Sequence, residues 1–337
     1  MGVAVAVLLV GCGGGDDATT GDESTAASQQ EKPQEDLANL QVTLESRANA
    51  EDSSVLLGDR LGYFADAGLN IYVLGPASPS LALGYADQGT DIVLSPLPQV
   101  VMAQEEGESV VAVGTVIPEA TMSMISLPQS GIKEIADLKG KKIGTPGLSW
   151  NEEALRVVLE KAGLTLSDVK LSEVAYTDDL VSKLERGNID AIFGGSWNVE
   201  GAALEAKGLN PVITKATDLG IPEFDELVFT AKPGRYAKKP ELLEGFLEAA
   251  YRGAAAVKED PAAGGQAVVD KSLEFVSPKE GEAGAEATAP LYAETATIDR
   301  KRAAKLIDWM YQEGMIKRKI PVSKLIEEGG ASKPSKP

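Results

Sequence analysis

The stretch 138–155, LKGKKIGTPGLSWNEEAL, decides the reading of the chain. Lys141–Thr145 form a short extended segment, and Pro146 and Gly147 break it. Ser149 is then placed as a helix N-cap, because Glu152 follows at the S-x-x-E spacing of a capping box. Ala154, Leu155, Val158, Leu159 and Ala162 recur at helical spacing, and Gly163 closes the helix. A strand, a tight turn and a capped helix start in this order present backbone N–H groups, with Trp150 beside them, to a small polar ligand.

Outward from this unit, strand and helix patterns alternate. Strands are expected at Leu40–Leu44, Leu69–Leu74, Asp91–Leu94, Val110–Thr115, Asp190–Phe193 and Leu227–Ala231. Helices are expected at Ser53–Leu61, after Pro79, from the turn Ser95–Pro98 to about Glu106, at Pro240–Lys258 and from Ile298 through Trp309. In Pro240–Lys258, Leu242, Leu243, Phe246, Leu247, Ala250 and Tyr251 make one apolar stripe. Trp309 and Tyr251 read as core. Glu280–Ala289, EGEAGAEATA, reads as a mobile surface loop or a weak helix. The alternation predicts an α/β protein with mostly parallel sheets. Segments 83–107 and 180–208 share one plan: helix, G-x-D or G-x-x-D turn, apolar strand, serine turn, amphipathic helix. Two lobes of like construction follow, each offering a turn beyond the carboxyl end of a strand, where open α/β sheets take ligands.

The chain has 337 residues, a net charge of −19, no histidine and one cysteine. Acid excess argues against nucleic acid or an anionic surface as partner. Without histidine there is no Ser-His-Asp triad, no Cys-His pair and no histidine-held metal. Cys12 closes the sequence LLVGC after the apolar run Val3–Val10, which resembles a bacterial lipobox. The run is shorter than the ~20 residues a membrane-spanning helix needs, and it fits a signal-peptide core. The acidic, small-residue segment that follows reads as a tether. The basic segment usual before such a core is missing.

Several motifs together resemble one family. LGYFADAGLNI (61–71), DLKGKKIGTPG with EEAL, RGNIDA, and KPELLEGFLEAAYRG are similar to the ABC-transporter solute-binding proteins for nitrate, taurine, sulfonates and thiamine-pyrimidine precursors. The resemblance spans about Leu40 to Ile326. It implies a two-lobed periplasmic-binding-protein fold (type II) with a hinge, no enzymatic activity, no cofactor and no metal. It implies as partners a small-molecule ligand and an ABC permease with its ATPase, for a monomer anchored outside the cytoplasm. The implied divisions are 1–12 signal peptide, 13–38 tether, 39–120 and 228–328 lobe 1, 121–227 lobe 2, and 329–337 tail. The chain is expected to cross between lobes near 117–124 and 226–230.

GGSWNVEGAALEAKGLN (194–210) is most similar to the thiamine-pyrimidine binders, with Trp197 and Glu200 near their aromatic and glutamate. The chain departs from that subgroup at the first strand end. Leu44, Glu45 and Ser46, then RANAED, stand where those proteins carry Leu-Asp-Trp, Pro-Asn and a histidine, and Pro96 replaces a common tyrosine. Candidate ligand residues are Glu45, Asn49, Ser95, Ser149, Trp150, Glu152, Trp197 and Glu200, with Asp225 and Glu226 within reach. Aromatic and acidic candidates outnumber basic ones, Arg47 being the exception, which tilts the ligand toward a heterocycle. Alkanesulfonate, taurine, nitrate and riboflavin are the alternatives. Of another class are a pyrimidine synthase and a sensing lobe. Synthases of this fold use histidine and a cysteine-rich motif, which this chain lacks.

Overall fold

The computed structural model describes residues 37–76, 81–173 and 179–327. Cys12 with its signal peptide, nearly all of the expected tether and the expected tail lie outside them. Ten strands form two five-stranded sheets. The first sheet takes β1 (Ala38–Thr43), β2 (Leu69–Leu74), β3 (Ile92–Ser95) and β4 (Val111–Ile117). The second takes β5 (Met122–Ser126), β6 (Lys142–Thr145), β7 (Lys170–Glu173), β8 (Ala191–Ser196) and β9 (Val212–Lys215). The last strand, β10 (Leu227–Ala231), returns to the first sheet.

The orders are β2-β1-β3-β10-β4 and β7-β6-β8-β5-β9. In each, four strands run in one direction and one strand, β10 or β5, is inserted antiparallel between the third and the last. The shared plan of 83–107 and 180–208 therefore has a structural counterpart, since β3 and β8 hold equivalent places in the two sheets. The chain passes from one sheet to the other between Ile117 and Met122, and back between Lys215 and Leu227.

Both the inner strand β10 and the edge strand β4 are covered: all five residues of β10 and all seven of β4 are buried. The helix Pro240–Glu259 lays Leu243, Phe246, Leu247, Ala250 and Val257 on the first sheet. Its Phe246 ring meets Phe229 of β10 edge-on at 5.1 Å and Phe64 at 5.3 Å. Tyr251 and Trp309 are half-buried against the cores. The Tyr251 hydroxyl donates to the Thr115 carbonyl at 2.7 Å.

Two local expectations are met in a different form. After the segment 77–80, which lies outside the described residues, a six-residue 3-10 helix, Leu83–Gln88, stands where a helix from Pro79 was expected. More consequentially, the low-complexity segment is a regular helix, Pro278–Thr288, opened by a capping box between Ser277 and Glu280. Its glycines are packing surface. A methyl group on Gly265, in the neighbouring helix Pro261–Lys271, would lie 2.5 Å from the Gly281 backbone. One on Gly284 would lie 2.8 Å from the Ala50 side chain. Composition suggested weakness; the absent side chains instead let helix backbones touch.

Gly265→Ala should therefore lower stability by about 1–3 kcal/mol despite alanine's better helix propensity. Urea unfolding checks this, and an unchanged midpoint would mean the two helices re-space without strain.

Candidate functional site

The carboxyl ends of β1, β3, β6 and β8 converge on a small chamber of about 50 Å3. After β1 the chain turns through Glu45, Ser46 and Asn49. The Asn49 side chain caps the turn Ala50–Asp52, accepting the Glu51 N–H at 2.8 Å, while the Asn49 N–H donates to Asp52 Oδ2 at 3.0 Å. Tyr292 pins this turn from below, its hydroxyl lying 2.8 Å from Ser53 Oγ and 3.0 Å from the Ala50 carbonyl. From β6 come Pro146, Leu148, Trp150 and Asn151; from β8 come Gly194, Ser196 and, through a π-helical turn Trp197–Gly201, Val199 and Glu200. Glu226 closes the floor from the segment that leads into β10.

The chamber wall contains Glu45, Glu51, Glu200 and Glu226 and no lysine or arginine. Three of these carboxylates are held by fixed donors. Glu51 Oε1 accepts from Thr121 Oγ1 at 2.7 Å and Asn198 Nδ2 at 3.2 Å. Glu226 Oε2 accepts the backbone N–H of both Thr121 and Met122 at 2.7 Å. Glu200 Oε2 accepts the Ser196 N–H at 2.7 Å. Glu45 has no hydrogen-bond partner among the described residues. Burial, reinforced by Glu51, Glu226 and Asp52, holds the Glu45 carboxyl well above the usual carboxylate range. Burial likewise raises Glu200 to about 7 and Asp52, behind the wall, to about 8, against the N–H bonds that oppose it. Glu51 and Glu226 are both pushed up by burial, and Glu226 further by Glu51. Such carboxyls hold protons near neutrality and can both donate and accept hydrogen bonds. The geometry does not make a cation site: among the described residues no group of three His, Cys, Asp or Glu could hold a metal ion.

Four of the eight candidates, Glu45, Asn49, Trp150 and Glu200, line the chamber. The other four are not in its wall. Ser95 is buried in the β3–β10 ladder, its hydroxyl donating to the Pro96 carbonyl at 3.4 Å. Trp197 is half-buried, with Lys215 Nζ 4.2 Å above its ring. Glu152 lies half-buried in the first turn of the helix Ser149–Lys161.

Ser149 corrects the opening expectation. The N-cap is Leu148, without a side-chain cap, and Ser149 is the first helical residue. Capping is supplied from across the cleft by Gln99, on the helix Leu97–Glu106. Gln99 Oε1 accepts from the Trp150 N–H and from Ser149 Oγ, each at 3.3 Å. One of the N–H groups expected to face a ligand, that of Trp150, is thus engaged by the other half of the protein. Trp150 itself is fully buried, edge-on to Phe224 at 5.0 Å. It is as much core as chamber wall. Asp225, also within reach on sequence grounds, points away, to Thr115 Oγ1 at 2.8 Å and Arg302 at 3.0 Å.

Sequence reasoning missed Glu51 and Asn151. Glu51 was masked by its place in an acidic surface-like run. Asn151 is 2% exposed and its Oδ1 has no hydrogen-bond partner. Its carboxamide packs directly over Gly194, whose φ of +90° and lack of a side chain leave it that space. A buried polar residue of this kind is a signal only a structure provides.

Two open sheets with exchanged strands and a chamber between their strand ends define a periplasmic-binding-protein fold. The alkanesulfonate-binding protein SsuA from Xanthomonas axonopodis pv. citri, bound to MOPS, superposes with a TM-score of 0.67 at 17% identity, over 86% of this chain and 98% of that one. The chain belongs to the NMT1/THI5 like family, whose model matches residues 49–264. Among its relatives are the formylaminopyrimidine-binding protein of Halalkalibacterium halodurans, 29% identical over 67% of this chain and 68% of its own length. A 4-amino-5-hydroxymethyl-2-methylpyrimidine phosphate synthase of Legionella pneumophila is 27% identical over 63% of this chain and 67% of its own.

The raised carboxyls carry a pH signature. The folded state binds protons that the unfolded chain has released, so their contribution is full below about pH 4 and lost as pH rises through 7 to 8. The melting temperature of the ligand-free protein should fall between pH 5 and 8, and Glu200→Gln should flatten the fall. Calorimetry across that range decides it; an identical slope in the variant would show that Glu200 titrates normally.

Proposed function

We propose that this protein is the solute-binding component of an ABC importer and binds a small neutral or cationic heterocycle of the thiamine-pyrimidine kind. In this reading the two sheets are the cores of two lobes, 39–120 with 228–328 and 121–227, which close on the ligand by a hinge and shift between open and closed populations. Cys12 carries the lipid that keeps the protein outside the cytoplasmic membrane. No helix of the described residues is long and apolar enough to cross a membrane.

The observation that carries the ligand class is the composition of the chamber wall. Four glutamates converge there without a cation. A sulfonate or nitrate entering it would lose water and find no lysine or arginine in the wall to pair with, which is costly. An aminopyrimidine offers N–H donors to carboxylates and a basic ring nitrogen to a protonated carboxyl. The name of the formylaminopyrimidine-binding relative agrees with this class. The synthase reading has less support here: the chain has no histidine, and no lysine stands in the chamber wall to form an imine with a cofactor.

Thermal-shift screening of the purified protein tests the class. A 4-aminopyrimidine should raise the melting temperature by mass action, and an alkanesulfonate should leave it in place; the reverse result would overturn the ligand assignment. Glu45 gives a second test. Its carboxyl is destabilised by burial and by four neighbouring acids, Glu51, Glu226, Asp52 and Glu200, with no hydrogen-bond donor among the described residues in return. Glu45→Gln should raise the melting temperature of the ligand-free protein while weakening aminopyrimidine binding about tenfold or more in titration calorimetry. Unchanged affinity would place the ligand elsewhere in the cleft.

A further inference from the structure

The chamber at the strand ends measures about 50 Å3, whereas a cavity that holds one benzene ring measures about 150 Å3. A ring-sized ligand therefore enters only once a wall has moved. The two sides of the molecule resist such a movement differently.

On one side the halves share a single core. Leu97 and Val100 of the helix Leu97–Glu106, Trp150 and Leu155 of the helix Ser149–Lys161, and Leu306 and Met310 of the helix Arg300–Gln312 belong to one buried cluster. Parting it would return apolar area to water. Lys161 Nζ, 2.7 Å from Glu313 Oε1, ties the ends of two of these helices at the surface.

On the other side the cores stay separate. Val268 belongs to a cluster built from the first sheet's half, and Leu180 and Val181 to one built from the second's. All three border a cavity of about 160 Å3. What closes this seam is polar or without side chains. Lys207, the C-cap of the helix Ala202–Ala206, lies 3.2 Å from Glu280 of Pro278–Thr288 and 3.5 Å from Glu185 of its own half. Asn198 Nδ2 donates to Thr288 Oγ1 at 2.8 Å. Gly284 faces both halves: a methyl group on it would lie 2.8 Å from the Ala50 side chain and 3.6 Å from the Asn198 carbonyl. Water can replace the polar contacts, so this side parts at lower cost than the fused core.

We infer that the ligand enters and leaves between the helix Pro278–Thr288 and the segment Trp197–Lys207, with the fused core as the fixed side and Lys207 as the latch. This rests on the two-lobe reading above. It adds which side opens and which contact holds it shut.

The test uses the whole chain carrying Cys12→Ser. Nitroxides on Glu205→Cys and Glu282→Cys, exposed positions that leave the latch intact, report the seam. A pair on Ala162→Cys and Gln312→Cys, also exposed, reports the fused side. Without ligand, double electron–electron resonance should give a short and a long distance at the seam and one distance at the fused side. Lys207→Met should raise the long-distance fraction about two- to fivefold, the worth of an exposed ion pair. A second distance at the fused side, or a seam unmoved by Lys207→Met, would overturn the inference. A bismaleimide joining Lys207→Cys to Glu280→Cys should slow association of a 4-aminopyrimidine about a hundredfold or more, and one joining Lys161→Cys to Glu313→Cys should change it less than about twofold. Equal rates in the two cross-linked proteins would overturn the entry route. If the protein without cross-links binds no aminopyrimidine, the heterocycle reading fails, and the resonance distances still decide which side opens.

Discussion

One carboxylate oxygen organises the junction of the two sheets. Glu226 Oε2 takes the N–H groups of Thr121 and Met122, so the strand segment entering the first sheet holds the segment leaving for the second. The neighbours repeat the arrangement. Glu223 accepts the Ala120 N–H, and Asp225 is fixed to Thr115 and Arg302 in the first sheet's half. A buried carboxylate is costly unless several donors meet it. Here the donors are backbone groups of a crossing segment that would otherwise lack partners. The two needs are met by one contact, and the chamber floor is placed as a result.

The same contact explains why the chamber is acidic. Glu226 and Glu51 both depend on Thr121, one through its N–H and the other through its hydroxyl. Glu200 is tied to the turn after β8 by the Ser196 N–H. These acids are positioned by backbone N–H groups and neutral side chains, not by countercharge. Their burial is met by holding protons rather than by pairing charges. In the proposed reading, a ligand bringing hydrogen-bonding groups supplies the missing partners, and closure is favoured most when the chamber is filled.

Much of the fold was legible in the sequence, because strand and helix periodicities are local. The strands β2 and β10 fall at their expected residues, β1, β3, β4 and β6 within two residues of theirs at either end, and β8 within three. The site was half legible. Glu45, Asn49, Trp150 and Glu200 follow strand ends, which pattern alone locates. Glu51 and Asn151 reach the chamber wall through burial that distant segments create, and no local pattern encodes it. The Ser149 capping box failed for a related reason. Its S-x-x-E spacing is present, but Gln99, fifty positions earlier, takes the Ser149 hydroxyl and the neighbouring Trp150 N–H. In Pro278–Thr288, small residues were read as a mobile loop or a weak helix, when absence of side chains is what close helix packing uses.

The position of β10 has a consequence for how the protein is made. The second sheet is contiguous in sequence, from β5 to β9, and all of its strands leave the ribosome before β10 does. The first sheet is begun earlier and finished later. Until β10 arrives, β3 has one open edge and β4 has no strand to pair with. A nascent chain halted before Leu227 thus displays two apolar strand edges of the kind that recruit other chains. The half that starts first is the half that must wait, and its exposure during synthesis or passage across a membrane is set by the length of the half inserted within it.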